Sequence, residues 1–233
     1  MENPPIAIYT GQGSSHSWLW FADLFEEAGI HTLSFFDEEN IKAGGLNQVG
    51  VLAVSGGDTF ALARGLGPKG AVELEAWVRN GGLFLGSCAG AYLPLCSSQD
   101  PLNLFNFVEA KISNLTSILP EPRKFKEKFS LPYGCSFVFH PVREAVQLSG
   151  NGHPPFSEAG PFSAPLYGGP GLIPRDSVET LAHYSGFTEK TAFLVDRKLA
   201  RETLIGKAAV IRKRLGAGAF YLFGPHLEHP HYR

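Results

Sequence analysis

The sequence predicts an α/β fold, with a mostly parallel sheet in its first half and β-rich additions in its second. Three observations predict it. Over roughly the first hundred residues, short β-type runs alternate with stretches of helical period, the order that βαβ units impose. The run Val49 to Val54 is apolar on both faces, as a strand covered from both sides must be. From Lys111 to Leu222 the pattern changes to brief β-like runs between Gly- and Pro-rich loops.

Ile6 to Thr10 reads as the first strand, ended by Gly11-Gln12-Gly13. Ser17 can cap the next helix, whose apolar stripe is Trp18, Phe21, Ala22 and Phe25, at i, i+3, i+4 and i+7. Gly29 stops that helix. His31 to Phe36 forms a second strand and Val49 to Val54 a third, followed at once by Ser55-Gly56-Gly57-Asp58. A helix spans Lys69 to Arg79, with Ala71, Leu74 and Val78 inward and Glu75 paired with Arg79 outside. Asn80-Gly81-Gly82 ends it, and Leu83 to Gly86 is the fourth strand. Later strands are expected at Phe137 to His140, Ala145 to Leu148, Thr191 to Val195, Ala208 to Ile211 and Ala219 to Phe223. Gly150 to Pro174 is turn-rich, yet Phe156, Phe162, Leu166 and Tyr167 mark it as ordered. A domain boundary could fall near residue 100, but a single domain over residues 1–233 is more economical.

Composition narrows the function classes. With 233 residues, 44% hydrophobic and 18% charged, the chain can bury a sizeable core and does not read as disordered. A net charge of −2, with no run of Lys or Arg that forms a basic stripe, leaves no electrostatic footprint for nucleic acid. Cys88, Cys96 and Cys135 are odd in number and widely spaced, so they read as reduced thiols of a cytoplasmic protein. The opening MENPPIAIYTG has neither the basic region nor the apolar run of a signal peptide. Asn80 to Gln99 carries no charge, but Gly81, Gly82, Gly86, Gly90 and Pro94 interrupt it. A strand, a sharp turn and a buried helix explain it better than a membrane span.

One motif carries chemistry. Gly86-Ser87-Cys88-Ala89-Gly90 lies between an apolar strand and a helix opening at Ala89, the cysteine form of a nucleophile elbow. Small flanking residues let the chain reverse, and free N–H groups at the helix start favour a thiolate, the reactive form. A structural cysteine in a tight turn would give the same string, so two further features matter. Gly56-Gly57 follows another parallel strand and should reach the same carboxyl edge of the sheet, where its N–H groups could join that of Ala89 as an oxyanion hole. Near the C-terminus a β run leads into Gly224-Pro225-His226-Leu227-Glu228. Residues two apart in extended chain share a side, so Glu228 can hold His226 while His226 pairs with Cys88. His229 and His231 make this tail histidine-rich. A metal site from His226, His229 and His231 is the weaker reading, with no carboxylate or cysteine spacing behind it.

Strand–Gly-Gly, then GxCxG, then a C-terminal PHxE resembles the class I glutamine amidotransferase-like superfamily. Within it the chain is most similar to the biotin-protein ligase N-terminal domain family, which also occurs as standalone proteins. The likeness runs through IAIYTGQG, SGGDTFALARGL, GGLFLGSCAGAYL, LYGGPG at Leu166 to Gly171 and the closing GKAAVIRKRLGAGAFYLFGPHLEHP. The resemblance implies a flavodoxin-like, doubly wound sheet and a catalytic triad at Cys88, His226 and Glu228. Tyr92 stands where glutamine amidotransferases carry glutamine in CxGxQ, so the resemblance does not imply free glutamine as substrate. Ala89 stands where PfpI-type proteases commonly place histidine. Nothing in these residues resembles the nucleotide- and biotin-binding motif of a ligase, so ligase activity is not implied.

The reading that follows is a cytoplasmic cysteine hydrolase or acyl transferase acting on an amide C–N bond of a small molecule or peptide. Gly56, Asp58 and Tyr92 would shape the substrate pocket, and Asp58 could meet a substrate amine or cap the next helix. No cofactor, metal, nucleic acid or membrane partner is expected, and a homodimer is the common assembly for this fold. The other readings are a silent regulatory or ligand-binding module of the same fold, and a redox sensor using an exposed thiolate. Ser14, Ser15 and His16 could line a pocket, though such residues before a helix more often cap it. Tyr9 reads as core, and Cys96 as packing two turns along the elbow helix. The Tyr167-Gly168-Gly169-Pro170 glycines suit a close backbone approach near the site. Arg123, Lys124, Lys126 and Lys128, alternating with Glu121 and Glu127, read as a solvated segment.

Overall fold

Alternation along two short strands decides the architecture. In the computed structural model, which describes residues 4–113, 141–157 and 160–232, strands β1 (Ile6–Tyr9) and β3 (Val51–Val54) are buried at every position. Ala7, Tyr9, Leu52 and Val54 face one core with helix α3 (Thr59–Arg79), while Ile6, Ile8, Val51 and Ala53 face another with helix α1 (Trp18–Glu27). A sheet with helices on both faces must be apolar on both, which is why these strands show no polar alternation. Strands β2 (Leu33–Phe36) and β4 (Leu83–Ser87) complete the parallel half in the order β4-β3-β1-β2.

The second half extends the same sheet with antiparallel strands. These are β5 (Ala110–Ile112), β6 (Val142–Gly150), β7 (Phe162–Leu166), β8 (Leu172–Pro174), β9 (Glu179–Phe187), β10 (Ala192–Phe193), β11 (Ala208–Leu215) and β12 (Gly218–Phe223). The main path runs β10-β6-β9-β11-β12-β4-β3-β1-β2, and β12 joins the parallel half by pairing parallel to β4. The mixed sheet with its parallel first half is the predicted fold class. Helices α2 (Glu38–Lys42), α4 (Ala89–Tyr92) and α5 (Arg197–Leu204) are the remaining α-helices among the described residues. A third core joins α5 to β6, β7, β9 and β11 through Ala200, Leu204, Val146, Leu166, Ala182 and Val210.

Several elements differ from the sequence expectations. Element α3 consists of two helical stretches on either side of Gly67 (φ 58°, ψ −168°): the second, opening at Pro68, is the expected helix, whereas the first, from Thr59 and capped by Asp58, was not expected. Proline suits the first turn of the continuing helix, where its missing N–H has no partner to lose. Ser17 stands at the α1 N-cap but makes no capping bond, its hydroxyl being engaged elsewhere. The helix after Cys88 lasts only four residues, so Cys96 lies beyond it, with its N–H on the Ala110 carbonyl at 3.1 Å. Strands β5, β7, β8 and β9 and helices α2 and α5 were not anticipated. The Glu75–Arg79 pair forms as expected, at 2.8 Å. Cys135, the run Phe137 to His140 and the charged segment from Glu121 to Lys128 lie outside the described residues.

Register places the site. Val54 pairs with Gly86 and Phe223 with Ser87, so β3, β4 and β12 end level at one edge. The chain after each of them carries, in turn, Ser55 to Asp58, Cys88, and Gly224 to Glu228. Among the described residues, no helix is long and apolar enough to cross a membrane.

Candidate active site

The elbow is built by close backbone approach. Cys88 adopts φ 50° and ψ −109°, a conformation that side-chain-bearing residues rarely take. Its N–H donates to the Phe223 carbonyl at 3.0 Å, and the Gly90 N–H donates to the Ser55 carbonyl at 3.1 Å. A Cβ at Gly90 would sit 2.1 Å from the Val54 carbonyl oxygen, so only glycine lets the elbow seat against β3. Thr59 Oγ1 donates to the Ala89 carbonyl at 3.2 Å, tying the elbow to the start of α3.

Cys88, His226 and Glu228 come together in the interior, 9%, 3% and 2% exposed. His226 Nδ1 donates to Glu228 Oε1 at 2.7 Å, and Cys88 lines the same cleft as this ring. Burial alone would pull the imidazole down, but the Glu228 carboxylate and the Cys88 sulfur outweigh it and hold His226 up at about 10. Glu228 Oε1 also accepts from Ser87 Oγ at 2.6 Å and from Ser55 Oγ at 3.4 Å. The Val54–Gly86 register sets Ser55 beside Ser87, beneath that carboxylate.

The other expected residues also gather here. Gly56, Gly57, Asp58, Ala89 and Tyr92 line a cleft of about 670 Å³ with Cys88 and His226. Gly57 (φ 150°) crosses the Gly13–Ser15 segment so closely that a Cβ would lie 1.9 Å from the Gly13 carbonyl oxygen. The N–H groups of Gly57 and Ala89 make no hydrogen bond within the described residues, while those of Ser15 and Asp58 pair with Gly56 and Gly13. Asp58 lies at the cleft but spends Oδ1 on the N–H groups of Phe60 and Ala61, the capping alternative. Tyr92 donates its hydroxyl to the Gly168 carbonyl at 3.0 Å. The glycines of the Tyr167–Pro170 turn do serve close approach, since a Cβ at Gly169 would fall 1.5 Å from the Gly224 carbonyl oxygen. Ser14, Ser15 and His16 line the cleft as well. Tyr9 is buried, with its hydroxyl on Glu38 Oε2 at 3.1 Å.

Sequence reasoning missed the cleft's aromatic wall. The Trp20 ring stands edge-on to His226 at 5.2 Å and packs on His229 at 4.3 Å, and Tyr167 lies 6.0 Å from both histidines. Trp20 sits beside the buried stripe of α1 and not on it, and that is the only signal it carried. Arg143 on β6 also lines the cleft. Among the described residues no cluster of His, Cys, Asp and Glu side chains could hold a metal ion; His229 instead packs between Trp20 and Tyr232.

Gly56 fixes how near the imidazole comes to the cleft wall. A Cβ there would lie 2.9 Å from His226 Cε1 and 3.1 Å from Ser17 Oγ. Gly56→Ala should therefore displace His226 and slow alkylation of Cys88 by iodoacetamide by at least about tenfold, because a misplacement of 1 Å can cost 10² in rate. An unchanged alkylation rate would show that the imidazole does not govern the thiol.

Residues 6–99 match the family model described as biotin-protein ligase, N terminal. That biotin-protein ligase N-terminal match takes in the parallel half of the sheet and the elbow, and stops short of β5. No curated protein matches in sequence. Solved structures match in fold. A candidate GMP synthase component from Thermoplasma acidophilum superposes with a TM-score of 0.57 at 11% identity, over 100% of this chain and 89% of that one. A ThuA-like protein from Bacteroides uniformis gives 0.52 at 16% identity, over 97% and 84%. A β-galactosidase from Rahnella sp. R3 gives 0.55 at 12% identity over 96% of this chain, which spans only 29% of that enzyme.

Proposed function

We propose that this chain is a cysteine-nucleophile enzyme of the amidotransferase-like kind, cutting an amide C–N bond through a thioester. One observation carries the reading: a cysteine held at a strained strand-to-helix elbow, in one cleft with a histidine that a buried carboxylate holds. A structural cysteine has no use for such a chain of partners. The biotin-protein ligase N-terminal match over residues 6–99 and the fold likeness to a GMP synthase component fit the reading without specifying a reaction.

In this mechanism the Cys88 sulfur attacks the amide carbon, and the carbonyl electron pair moves onto oxygen. The N–H groups of Gly57 and Ala89 hold that oxyanion; losing one such donor typically costs about 10²–10³ in rate. His226 gives its proton to the leaving nitrogen as the C–N bond breaks, producing the free amine and a Cys88 thioester. It then takes a proton from water or an acceptor amine, which attacks the thioester and releases the thiolate. Glu228 orients the ring throughout and balances the imidazolium before the proton is given up and after it is regained. The substrate is a small-molecule amide or peptide, and the free thiols of Cys88 and Cys96 suit a cytoplasmic setting.

Incubating the protein with a panel of primary amides and anilides, followed by acid quench and intact-mass measurement, tests this directly. The expected product is an acyl adduct on Cys88 that hydroxylamine discharges and that Cys88→Ala abolishes. If no amide leaves an adduct and alkylation of Cys88 ignores His226→Gln, the chain is instead a binding module of the same fold.

A further inference from the structure

Three serine hydroxyls connect the interior carboxylate to the cleft. Ser15 Oγ lies 2.7 Å from Ser17 Oγ, Ser17 Oγ lies 2.7 Å from Ser55 Oγ, and Ser55 Oγ lies 3.4 Å from Glu228 Oε1. Ser17 and Ser55 are buried, at 4% and 2% exposed, whereas Ser15 is half-buried and lines the cleft. The chain passes beside the reacting groups, because a Cβ placed at Gly56 would meet both the His226 ring and Ser17 Oγ.

A hydroxyl has one proton to give, so a chain of hydroxyls must run in one direction. The carboxylate at its inner end only accepts, which makes Ser55 a donor to Glu228. Ser55 can then only accept from Ser17, and Ser17 from Ser15. The Ser15 proton is thereby committed inward. Its oxygen already receives the Ser17 N–H at 3.4 Å, and one lone pair remains for a group in the cleft that Ser15 lines. Chained hydroxyls polarise one another, so this oxygen is a better acceptor than a lone serine.

We propose that Ser15 is a specificity-determining residue that accepts a hydrogen bond from an N–H group of the substrate. Carbonyl-only analogues such as esters, which present no donor there, bind less well. The assignment names the substrate class of the site proposed above and rests on that reading only in using Cys88 as its reporter. Glu228 therefore has two tasks: it holds His226 through Nδ1, and it sets the polarity of the cleft wall through three serines.

Two alkylating probes of the same shape separate the outcomes. N-methyliodoacetamide and methyl iodoacetate differ only in N–H against oxygen, and both react at a thiol. The ratio of their rates at Cys88, divided by the same ratio for glutathione, should be about three to ten in favour of the amide, the worth of one hydrogen bond. Ser15→Ala should return that quotient to one by deleting the acceptor. Ser55→Ala should lower it from outside the cleft by freeing Ser17 and Ser15 to rotate. Both probes meet the same thiol, so a change in Cys88 reactivity cancels. A quotient of one in the wild-type protein overturns the assignment, as does a quotient that neither variant alters. A quotient favouring the ester overturns it too, since Ser15 would then be donating. If both probes react no faster than with glutathione while the quotient persists, the nucleophile reading fails and the Ser15 assignment stands.

Discussion

Glu228→Ala is expected to destabilise the protein by about 3–5 kcal/mol, the cost of leaving one member of a buried ion pair without its partner. His226 would lose its counter-ion, and Ser87 and Ser55 would lose the acceptor they share. Glu228→Gln keeps an oxygen for the imidazole and should cost less, so comparing the two separates lost charge from lost hydrogen bonds. The pair also ties stability to pH. The folded protein holds the His226 proton to about pH 10, whereas the unfolded chain releases it near the ordinary 6.5. The stabilisation is therefore whole below pH 6.5 and fades as pH rises toward 10. Thermal melts of the wild-type protein across that window should show Tm falling with pH. Glu228→Gln should flatten the slope. A wild-type slope retained in Glu228→Gln would mean that the carboxylate does not hold the imidazolium.

How legible the fold was depended on how far each element is determined locally. The parallel strands read directly because they are buried on both faces and carry nothing but apolar residues. The first stretch of α3 did not, since Gly65, Gly67 and Pro68 all signal breaks, and only the shared core of Leu62, Ala63 and Leu66 with Tyr9 and Val54 shows that a helix precedes Gly67. Strand β9 was missed for the opposite reason. Glu179 to Phe187 mixes charged, small and aromatic residues, and its strand identity comes from pairing with β6 and β11, both of them distant in sequence. Helix α5 is strongly amphipathic, with Ala200, Thr203 and Leu204 inward, and a helical-period search over Arg197 to Leu204 would have found it.

The placement of the candidate site's residues was more legible than the sheet around it. Cys88, Gly57 and His226 each follow a strand end, and the parallel topology brings such ends to one edge whatever the loops do. What could not be read were contacts between residues that share no element. Ser17 looked like a helix cap, yet its hydroxyl serves the chain to Glu228. Trp20 looked like a helix surface residue, yet it walls the imidazole. Both depend on the distance between α1 and the ends of β3 and β12, which only the folded chain sets.

The elbow predicts a trade between stability and chemistry. At φ 50° and ψ −109° any residue with a Cβ is strained, and strain of this kind costs on the order of 1–3 kcal/mol. Glycine adopts such angles freely. Cys88→Gly should therefore be more stable than Cys88→Ala by about 1–3 kcal/mol, although glycine elsewhere is the costlier residue. For a chain of this length each kcal/mol moves Tm by about 2–4 °C. Both variants lose the sulfur, so neither should form the acyl adduct, and the difference between them isolates the backbone. If Cys88→Ala proves as stable as Cys88→Gly, the elbow holds no strain and its geometry is no evidence for a nucleophile. If Cys88→Gly melts higher, the protein gives up stability to hold a thiol at this turn, which a cysteine kept only for packing does not require.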